Sequence, residues 1–390
     1  MNKLNECFER FKQSPLPFIL TIFIVSRIIL LITAWFAGYY LPNPTYEQYT
    51  DRGWFLSPYQ FIDIWSHWDG RWYLSIVTDG YTISENIQEI YSTVAFFPLF
   101  PLTVKIFASI LPGALNSPTI LILIGLILNN TLFVAALYFI YKLMDDFFHS
   151  QSWNKAIIIL IIAYPGSFYF SCFYTESMFL FLAVISLWAA KKEHWFQAAI
   201  FCGLLTITRP QGFFMVIPIG VLLLQSMQWK LKKFPIKALW LLLIPIPLII
   251  HLLYLQTITG DFLAPITAQG AWRDNSANFK MNFIDVFLTP EPDIFKFDAL
   301  FAYLFLGISI YALFCLPSPA YGLFALSIIL IPAVSGTTIS MTRFIAVAFP
   351  SFMAIIKLLK REIIIYSAAA LFFALQIIYF IGWANYYWIS

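Results

Sequence analysis

A tryptophan-rich segment around one aspartate is the part of this sequence best suited to chemistry. The segment runs Ile64-Trp65-Ser66-His67-Trp68-Asp69-Gly70-Arg71-Trp72-Tyr73. Trp65, Trp68 and Trp72 follow i, i+3, i+7 spacing, so a helix here would place all three rings on one face. Asp69 would then lie beside that face, at the boundary between water and lipid. The simpler interpretation is a surface aspartate on an amphipathic helix.

Three further ionisable residues lie within or at the edge of apolar stretches: Glu176, Arg209 and Arg343. Charged groups in such positions are costly and usually face a cavity or a partner. Arginine can donate two parallel hydrogen bonds to phosphate oxygens, which makes both arginines candidates for binding an anion. The alternative for each arginine is a snorkelling side chain or a structural ion pair with an acid such as Glu176.

Composition places these residues in a membrane protein. The 390 residues are 61% hydrophobic and 11% charged, whereas a soluble domain carries about 25% charged residues. There are too few charges to cover a water-facing surface, so a soluble enzyme is excluded. The net charge of +3 is too small to imply a nucleic-acid partner.

Neither cysteine nor histidine spacing predicts a metal site or a disulfide framework. The cysteines are Cys7, Cys172, Cys202 and Cys315, and none forms a Cys-x-x-Cys pair. The four histidines do not cluster along the chain. We therefore interpret the cysteines as small apolar side chains within or beside helices.

The fold expected is an all-α polytopic membrane protein, one domain over residues 1–390 with about eleven transmembrane helices. A spanning helix needs about 20 apolar residues. The candidate spans are residues 17–37, 94–112, 118–141, 156–172, 174–190, 196–223, 238–258, 299–316, 320–335, 342–358 and 363–383. The first is long enough to be a permanent span rather than a cleaved signal peptide.

Charge distribution predicts the orientation of these spans. Residues 38–93 hold seven acids and two arginines, and residues 259–298 hold six acids and three basic residues. Short basic connections, which stay in the cytoplasm, occur at residues 227–237 and 357–362. The two long acidic segments are then outer loops. One place disagrees, because Lys191 and Lys192 fall outside by this count.

The tryptophan-rich segment and several motifs further along the chain resemble those of the GPI mannosyltransferase II (PIG-V-like) family. These are membrane glycosyltransferases with the GT-C fold. His67-Trp68-Asp69-Gly70-Arg71-Trp72-Tyr73 with Asp79-Gly80-Tyr81 is similar to the family's Trp-Asp-x-x-x-Tyr … Gly-Tyr signature. Similar motifs follow in family order over roughly residues 60 to 352: Ala95 to Leu102, Pro165-Gly166-Ser167 with Tyr174-Thr175-Glu176-Ser177, Thr208-Arg209-Pro210-Gln211-Gly212, Gly260-Asp261-Phe262-Leu263-Ala264 with Gln269 and Trp272, and Ser340 to Phe344 with Phe349-Pro350. Phe262 stands where the family usually has proline.

This resemblance implies an inverting glycosyltransferase, here a mannosyltransferase. It would move a hexose from a polyprenyl-phosphate carrier to a lipid or glycan hydroxyl on the non-cytoplasmic face. The hydroxyl must lose a proton to a carboxylate about 3 Å away, and Asp69 is the candidate general base. Arg343 and Arg209 are candidates for the leaving phosphate. No metal and no cofactor are expected beyond the lipid-linked donor.

Other residues of these motifs are candidates for substrate binding. Trp68 and Tyr73 flank the proposed base, and Arg71 could pair with Asp69 or with the donor phosphate. Asp261 opens the second outer loop and could reach the acceptor. Glu176 could orient the acceptor or pair with an arginine, but the predicted topology puts it near the inner side. It would join the site only if residues 156–190 form a broken helix pair entered from outside.

Other classes of function stay open on the sequence. A multi-pass transporter or flippase for a lipid-linked or small solute would also combine many spans with a few intramembrane charges. A transferase of the same fold with another acceptor and a non-catalytic scaffold are further alternatives. The expected location is the plasma (inner) membrane of a bacterium or the endoplasmic reticulum of a eukaryote.

Overall fold

The computed structural model describes residues 13–40, 55–82, 93–270, 293–334, 339–387 and 389. All regular secondary structure within these ranges is helical, and no strand occurs in them. Cys7 and Trp272, which entered the predictions above, lie outside the described residues, as do large parts of both predicted outer loops.

The helices are numbered in chain order. They are α1 Leu16–Tyr40, α2 Gln60–Asp63, α3 Gly70–Thr78, α4 Leu99–Ser109, α5 Pro118–Phe148, α6 Gln151–Ala163, α7 Glu176–Lys191, α8 Trp195–Thr206, α9 Val216–Ser226, α10 Ile246–Thr259, α11 Ala264–Gln269, α12 Asp293–Cys315, α13 Pro319–Val334, α14 Met341–Ile345, α15 Phe349–Leu359 and α16 Glu362–Ala384. Short 3₁₀ helices include Pro165–Ser171, Pro210–Met215 and Ile236–Leu243.

Several of these helices are long and apolar enough to cross a membrane. Five qualify in the part of the chain that the structure describes: Leu16–Tyr40, Pro118–Phe148, Ile236–Thr259, Lys296–Cys315 and Glu362–Ala384. A sixth span results if α6 and the following 3₁₀ helix, bent by 82°, count as one. Shorter apolar helices of 10–17 residues accompany them. The prediction of an all-helical, multi-pass membrane protein is confirmed, while the number eleven stays a prediction.

The chain reverses direction in the middle of the predicted span 196–223. Helix α8 ends at Thr206, and a 3₁₀ helix begins at Pro210, because proline lacks the N–H that a continuing helix needs. The return is tight, since a Cβ atom on Gly212 would lie only 2.1 Å from the Leu205 carbonyl oxygen. The single predicted span is therefore two antiparallel helical segments with Arg209 at their turn.

The predicted span 94–112 begins and ends on the same side of the bundle. Before α4, the Tyr81 hydroxyl donates a hydrogen bond to the Phe96 carbonyl at 2.8 Å. After α4, the Thr119 hydroxyl lies 3.1 Å from that of Ser57. Both ends thus contact the segment that carries the tryptophan motif. Helix α4 has 11 residues, about 16 Å, and packs beside α3 rather than crossing.

Two groups of lysines, Lys191 with Lys192 and the stretch 227–237, lie at the same end of the bundle. Helix α7 contains 16 residues, from Glu176 to Lys191, and rises by about 24 Å over that length. Lys191, Ser226 and Ser318 line one cavity of about 230 Å³, so Lys191 shares an end with the basic stretch 227–237. The prediction that put Lys191 and Lys192 on the opposite side from that stretch was wrong. The extra reversal at Arg209 and the return of residues 94–112 account for the error.

The predicted tryptophan face does not form. Helix α2 ends at Asp63 and α3 begins at Gly70, and Trp68 between them has φ of 56°, outside the range of a right-handed helix. Trp65 packs against Phe380 and Trp72 stacks on Phe96, on different neighbours. The segment is a structured turn, since its backbone bonds to distant side chains instead of continuing a helix.

Candidate active site

Four charged side chains from distant parts of the sequence converge at the end of the bundle opposite the lysines. Arg343 Nη1 lies 2.6 Å from Asp69 Oδ2, and Arg343 Nε donates to Glu176 Oε1. Arg209 Nη1 donates to the same Glu176 oxygen at 2.7 Å. Two carboxylates and two guanidinium groups therefore form one continuous network.

A broken helix pair brings Glu176 into this network. Helix α6 stops at Ala163, the buried 3₁₀ helix Pro165–Ser171 bends away by 82°, and Glu176 is the first residue of α7. The prediction that Glu176 lies near the inner side, away from Asp69, was wrong. The alternative interpretation, in which residues 156–190 form a broken helix pair, agrees with the bend between α6 and the 3₁₀ helix Pro165–Ser171.

One buried tyrosine positions the backbone of Asp69. The Tyr174 hydroxyl donates to the His67 carbonyl at 2.8 Å and accepts from the Asp69 N–H at 2.9 Å. The Tyr174 ring also lies under the Arg343 guanidinium, 4.3 Å from ring centroid to Cζ. A single residue therefore contacts both members of the Asp69–Arg343 pair and sets their relative position.

A buried carboxylate that the sequence analysis did not single out holds the turn before Arg343. Asp298, on α12, accepts hydrogen bonds from the backbone N–H groups of Ser340 at 2.9 Å and Thr342 at 2.8 Å. Ser340 has φ of 66°, a left-handed conformation that is unfavourable for most residues. Close packing adds to this, because a Cβ on Gly166 would lie 2.5 Å from the Thr342 carbonyl oxygen. The isolated acid near the outer end of an apolar span was the available signal for Asp298.

Exposure separates the two carboxylates of the network. The Glu176 side chain is 0% exposed, whereas that of Asp69 is 28% exposed. Arg209 and Arg343 are nearly buried, at 9% and 8%, and Arg209 also packs over the Phe344 ring. Asp69 is therefore the carboxylate that a ligand can reach, and Glu176 is the buried counter-charge of the two arginines.

The remaining predicted site residues surround the network at different distances. Tyr73 is buried on α3, with its hydroxyl 3.4 Å from Thr175 Oγ1, and burial raises its pKa to about 12. Trp68 is half-buried immediately before Asp69, and Arg71 is half-buried at the start of α3. Asp261 uses its carboxylate locally, accepting from Leu263 N at 2.8 Å and Thr267 Oγ1 at 2.7 Å. Its proposed contact with an acceptor stays a prediction.

In the described ranges, no group of three or more His, Cys, Asp or Glu side chains is close enough to hold a metal ion. Cys172 and Cys202 are free and buried, and Cys315 is free and half-buried.

Comparison with known proteins identifies the family. A family model for mannosyltransferases (PIG-V) matches residues 19–262, more than half of the chain, and the protein belongs to this family. The match includes Asp69, Glu176 and Arg209. Arg343, which completes the network, is contributed from beyond the matched stretch.

Individual relatives share shorter stretches. GPI mannosyltransferase 2 of Drosophila pseudoobscura pseudoobscura is 33% identical over 120 residues, 30% of this chain and 25% of the relative. GPI mannosyltransferase 2 of Drosophila melanogaster is 27% identical over 166 residues, 38% of this chain and 35% of the relative. The chain thus spans about a quarter to a third of these relatives.

A solved structure with similar helices is the oligosaccharyltransferase of Archaeoglobus fulgidus in its apo form. The sequences are 14% identical, and the TM-score is 0.44. The similar region covers 95% of this chain and 56% of the other. This similarity is too weak to support an inference about function.

Proposed function

We propose that this protein is an inverting mannosyltransferase of the GT-C type. It moves a hexose from a polyprenyl-phosphate carrier to a hydroxyl group of a lipid or glycan. The observation that carries the proposal is the pairing of Asp69 with Arg343 within a buried network of two acids and two arginines. Membership of the mannosyltransferase family supports the choice of sugar.

The reaction needs a base and an anion site side by side. The acceptor oxygen attacks the anomeric carbon, its proton passes to the Asp69 carboxylate, and the sugar–phosphate bond breaks with its electron pair leaving on phosphate. A general base must lie within about 3 Å of the hydroxyl. The leaving phosphate gains negative charge as the bond breaks, and nearby guanidinium groups stabilise that charge. Asp69 and Arg343 supply both functions within one ion pair.

Donor binding would also activate the base. In the structure, Asp69 Oδ2 is engaged by Arg343 Nη1 at 2.6 Å. A phosphate that takes over the hydrogen bonds of Arg343 would release Asp69 to the acceptor. Charge-assisted arginine–phosphate contacts are strong enough to compete with such a pair.

Glu176 is the positioning residue in this mechanism. Its Oε1 atom holds Arg209 and Arg343 together, and complete burial keeps it away from substrate. Both guanidinium groups would otherwise repel each other at the phosphate site. A fixed carboxylate behind them aligns them before the donor binds, which lowers the reorganisation required in the transition state.

The site would face the non-cytoplasmic side of the membrane. The lysine-rich end of the bundle is expected in the cytoplasm by the positive-inside rule, and the Asp69 network lies at the other end. A lipid-linked donor and an acceptor glycolipid, such as the GPI of the relatives' names, would meet there. The endoplasmic reticulum is the corresponding location in a eukaryote.

The decisive experiment compares Asp69→Asn with Asp79→Asn, in purified protein supplied with polyprenyl-phosphate mannose and membrane acceptors. Asp79 lies on the same segment, and its carboxylate accepts from neighbouring Thr78, so it serves as a matched control. Loss of the general base should lower kcat by about 10²–10⁴-fold, and the control should retain wild-type turnover.

Normal turnover by Asp69→Asn would exclude Asp69 as the base. If the wild-type protein transfers no hexose but takes up a labelled solute in proteoliposomes, the protein is a transporter and not a transferase.

A further inference from the structure

Residues at and just after the end of α16 contact the segment that presents Asp69. In the last turn of α16, the Trp383 indole Nε1 donates to the Ile64 carbonyl at 2.5 Å. The Tyr386 hydroxyl donates to Asp63 Oδ2 at 2.9 Å. Trp383 is 1% exposed, and Asp63 is equally buried. We call Asp63, His67, Trp383 and Tyr386 the C-terminal clamp.

His67 is at the centre of the clamp, and both of its ring nitrogens face hydrogen-bond acceptors. Nε2 lies 3.3 Å from Asp63 Oδ2, and Nδ1 lies 3.2 Å from the Trp383 carbonyl oxygen. A neutral imidazole has one N–H group, whereas an imidazolium has two. Only the imidazolium can donate to both oxygens. The ring is 3% exposed and stacks on Tyr386 with centroids 3.9 Å apart.

The surroundings of Asp63 favour its ionised form. Burial alone would raise the pKa of Asp63, but hydrogen bonds from His67 and from the backbone N–H groups of Ser57 and Leu56 hold it below its ordinary value. Besides Asp63, the titratable groups that face His67 are the Tyr386 hydroxyl on the clamp and the Tyr174 hydroxyl at its carbonyl. The Asp63 carboxylate therefore lies on one side of the ring.

The clamp is connected to the site through the backbone. The His67 carbonyl accepts from the Tyr174 hydroxyl, and that hydroxyl accepts from the Asp69 N–H. Asp69 in turn pairs with Arg343. A shift of His67 would therefore displace the hydrogen-bonded turn of residues 67–69 and the carboxylate it presents.

We propose that His67 is a positioning residue, held as an imidazolium between Asp63 and the Trp383 carbonyl, that fixes Asp69 against Arg343. The C-terminal residues thereby belong to the working site, although they lie more than 300 positions from Asp69 in the sequence. The catalytic consequence of this inference rests on the proposed transferase function. The clamp itself does not, because its geometry involves no substrate.

The test uses His67→Phe and Tyr386→Phe, with Tyr387→Phe as matched control. Phenylalanine at position 67 keeps a stacking ring but removes both N–H donors, while Tyr387 is the exposed neighbour of Tyr386. Misplacement of a catalytic group by about 1 Å costs up to about 100-fold. Both clamp variants should therefore lose about 10- to 100-fold in kcat, with donor KM within about 2-fold of wild type.

Two readouts do not depend on turnover. Hydrogen exchange measured by mass spectrometry should be faster in peptides covering residues 63–73 of both clamp variants, and unchanged in the control. Nitrogen-15 NMR of histidine-labelled protein, assigned by comparison with His67→Phe, should show both His67 nitrogens protonated at the pH of the activity assay.

The outcomes separate this inference from the proposed function. Wild-type kcat and unchanged exchange in both clamp variants would overturn the clamp and leave Asp69 as the base. Detection of only one protonated ring nitrogen on His67 would contradict the proposal that this residue is held as an imidazolium. If the wild-type protein transfers no sugar, the proposed function fails, while exchange and NMR still decide whether the clamp exists.

Discussion

The two ends of the helix bundle carry the same arrangement of charges in opposite environments. At one end, Glu176 Oε1 accepts from both Arg209 and Arg343. At the other, Asp146 Oδ2 lies 2.7 Å from Lys191 Nζ and 3.1 Å from Lys192 Nζ. Each is one carboxylate oxygen shared by two cations.

Burial makes these two ion clusters different in kind. The Glu176 side chain is 0% exposed, but those of Asp146 and Lys192 are 35% and 42% exposed. Water and salt screen an exposed pair, so it contributes little to stability. Removal of one partner from a buried pair leaves an uncompensated charge, which is strongly destabilising. Burial, and not the number of ion pairs, therefore distinguishes the site from an ordinary surface.

The largest effect is expected for Glu176→Gln. It removes the carboxylate shared by two buried guanidinium groups, and breaking a buried pair in this way costs about 3–5 kcal/mol. Thermal unfolding of purified protein in lipid nanodiscs measures the loss. Glu193→Gln, just past the other end of α7 and exposed, is the control and should unfold like wild type. Equal unfolding of the two variants would contradict the role of burial.

A smaller effect is expected for Arg343→Lys. The charge is retained, but the planar fork that can hold two phosphate oxygens is lost. Affinity for the polyprenyl-phosphate donor should fall about 10-fold, equivalent to about 1.4 kcal/mol. Donor titration measures this, with Arg361→Lys on the exposed start of α16 as the control. Unchanged donor affinity with a lower melting temperature would make Arg343 a purely structural ion-pair partner.

The smallest effect is expected for Asp146→Asn. Its pairs with Lys191 and Lys192 are partly exposed, and such pairs contribute about 0.2–1 kcal/mol. Stability should fall by less than about 1 kcal/mol, and the difference should shrink further at high salt because the charges are screened. A loss as large as that of Glu176→Gln would show that the lysine-rich end is not an ordinary solvated surface.

The sequence alone predicted which charged residues form the candidate site and much of the helical content. Glu176, Arg209 and Arg343 stand out because a charged residue in an apolar stretch needs a reason, and Asp69 stands out because it lies within the tryptophan-rich segment. The span count was harder, because hydropathy reports apolar length but not direction. The run 196–223 contains two antiparallel segments, and 94–112 returns to the side it started from. Because the predicted spans did not include these two reversals, Glu176 and Lys191 were assigned to the wrong sides of the membrane.

Contacts between residues that are distant in the sequence could not be predicted from any local pattern. Asp298 holds the turn before Arg343, and His67 meets Trp383 across 316 positions. Periodicity also misled at the tryptophans, because hydrogen bonds to Tyr174 and the clamp hold the chain at Trp68 in a left-handed turn that a helix would not contain.

Composition by itself determined that this is a helical membrane protein, since a chain with so few charges cannot cover a surface facing water. The order of residues along the chain also showed which residues carry charge where charge is costly. It took the packed helices to show that these residues meet, that Glu176 is sealed from solvent while Asp69 is reachable, and that Trp383 and Tyr386 contact the turn that presents Asp69. The physical reason is that burial and hydrogen-bond partners are properties of packed helices, which no single stretch of chain possesses.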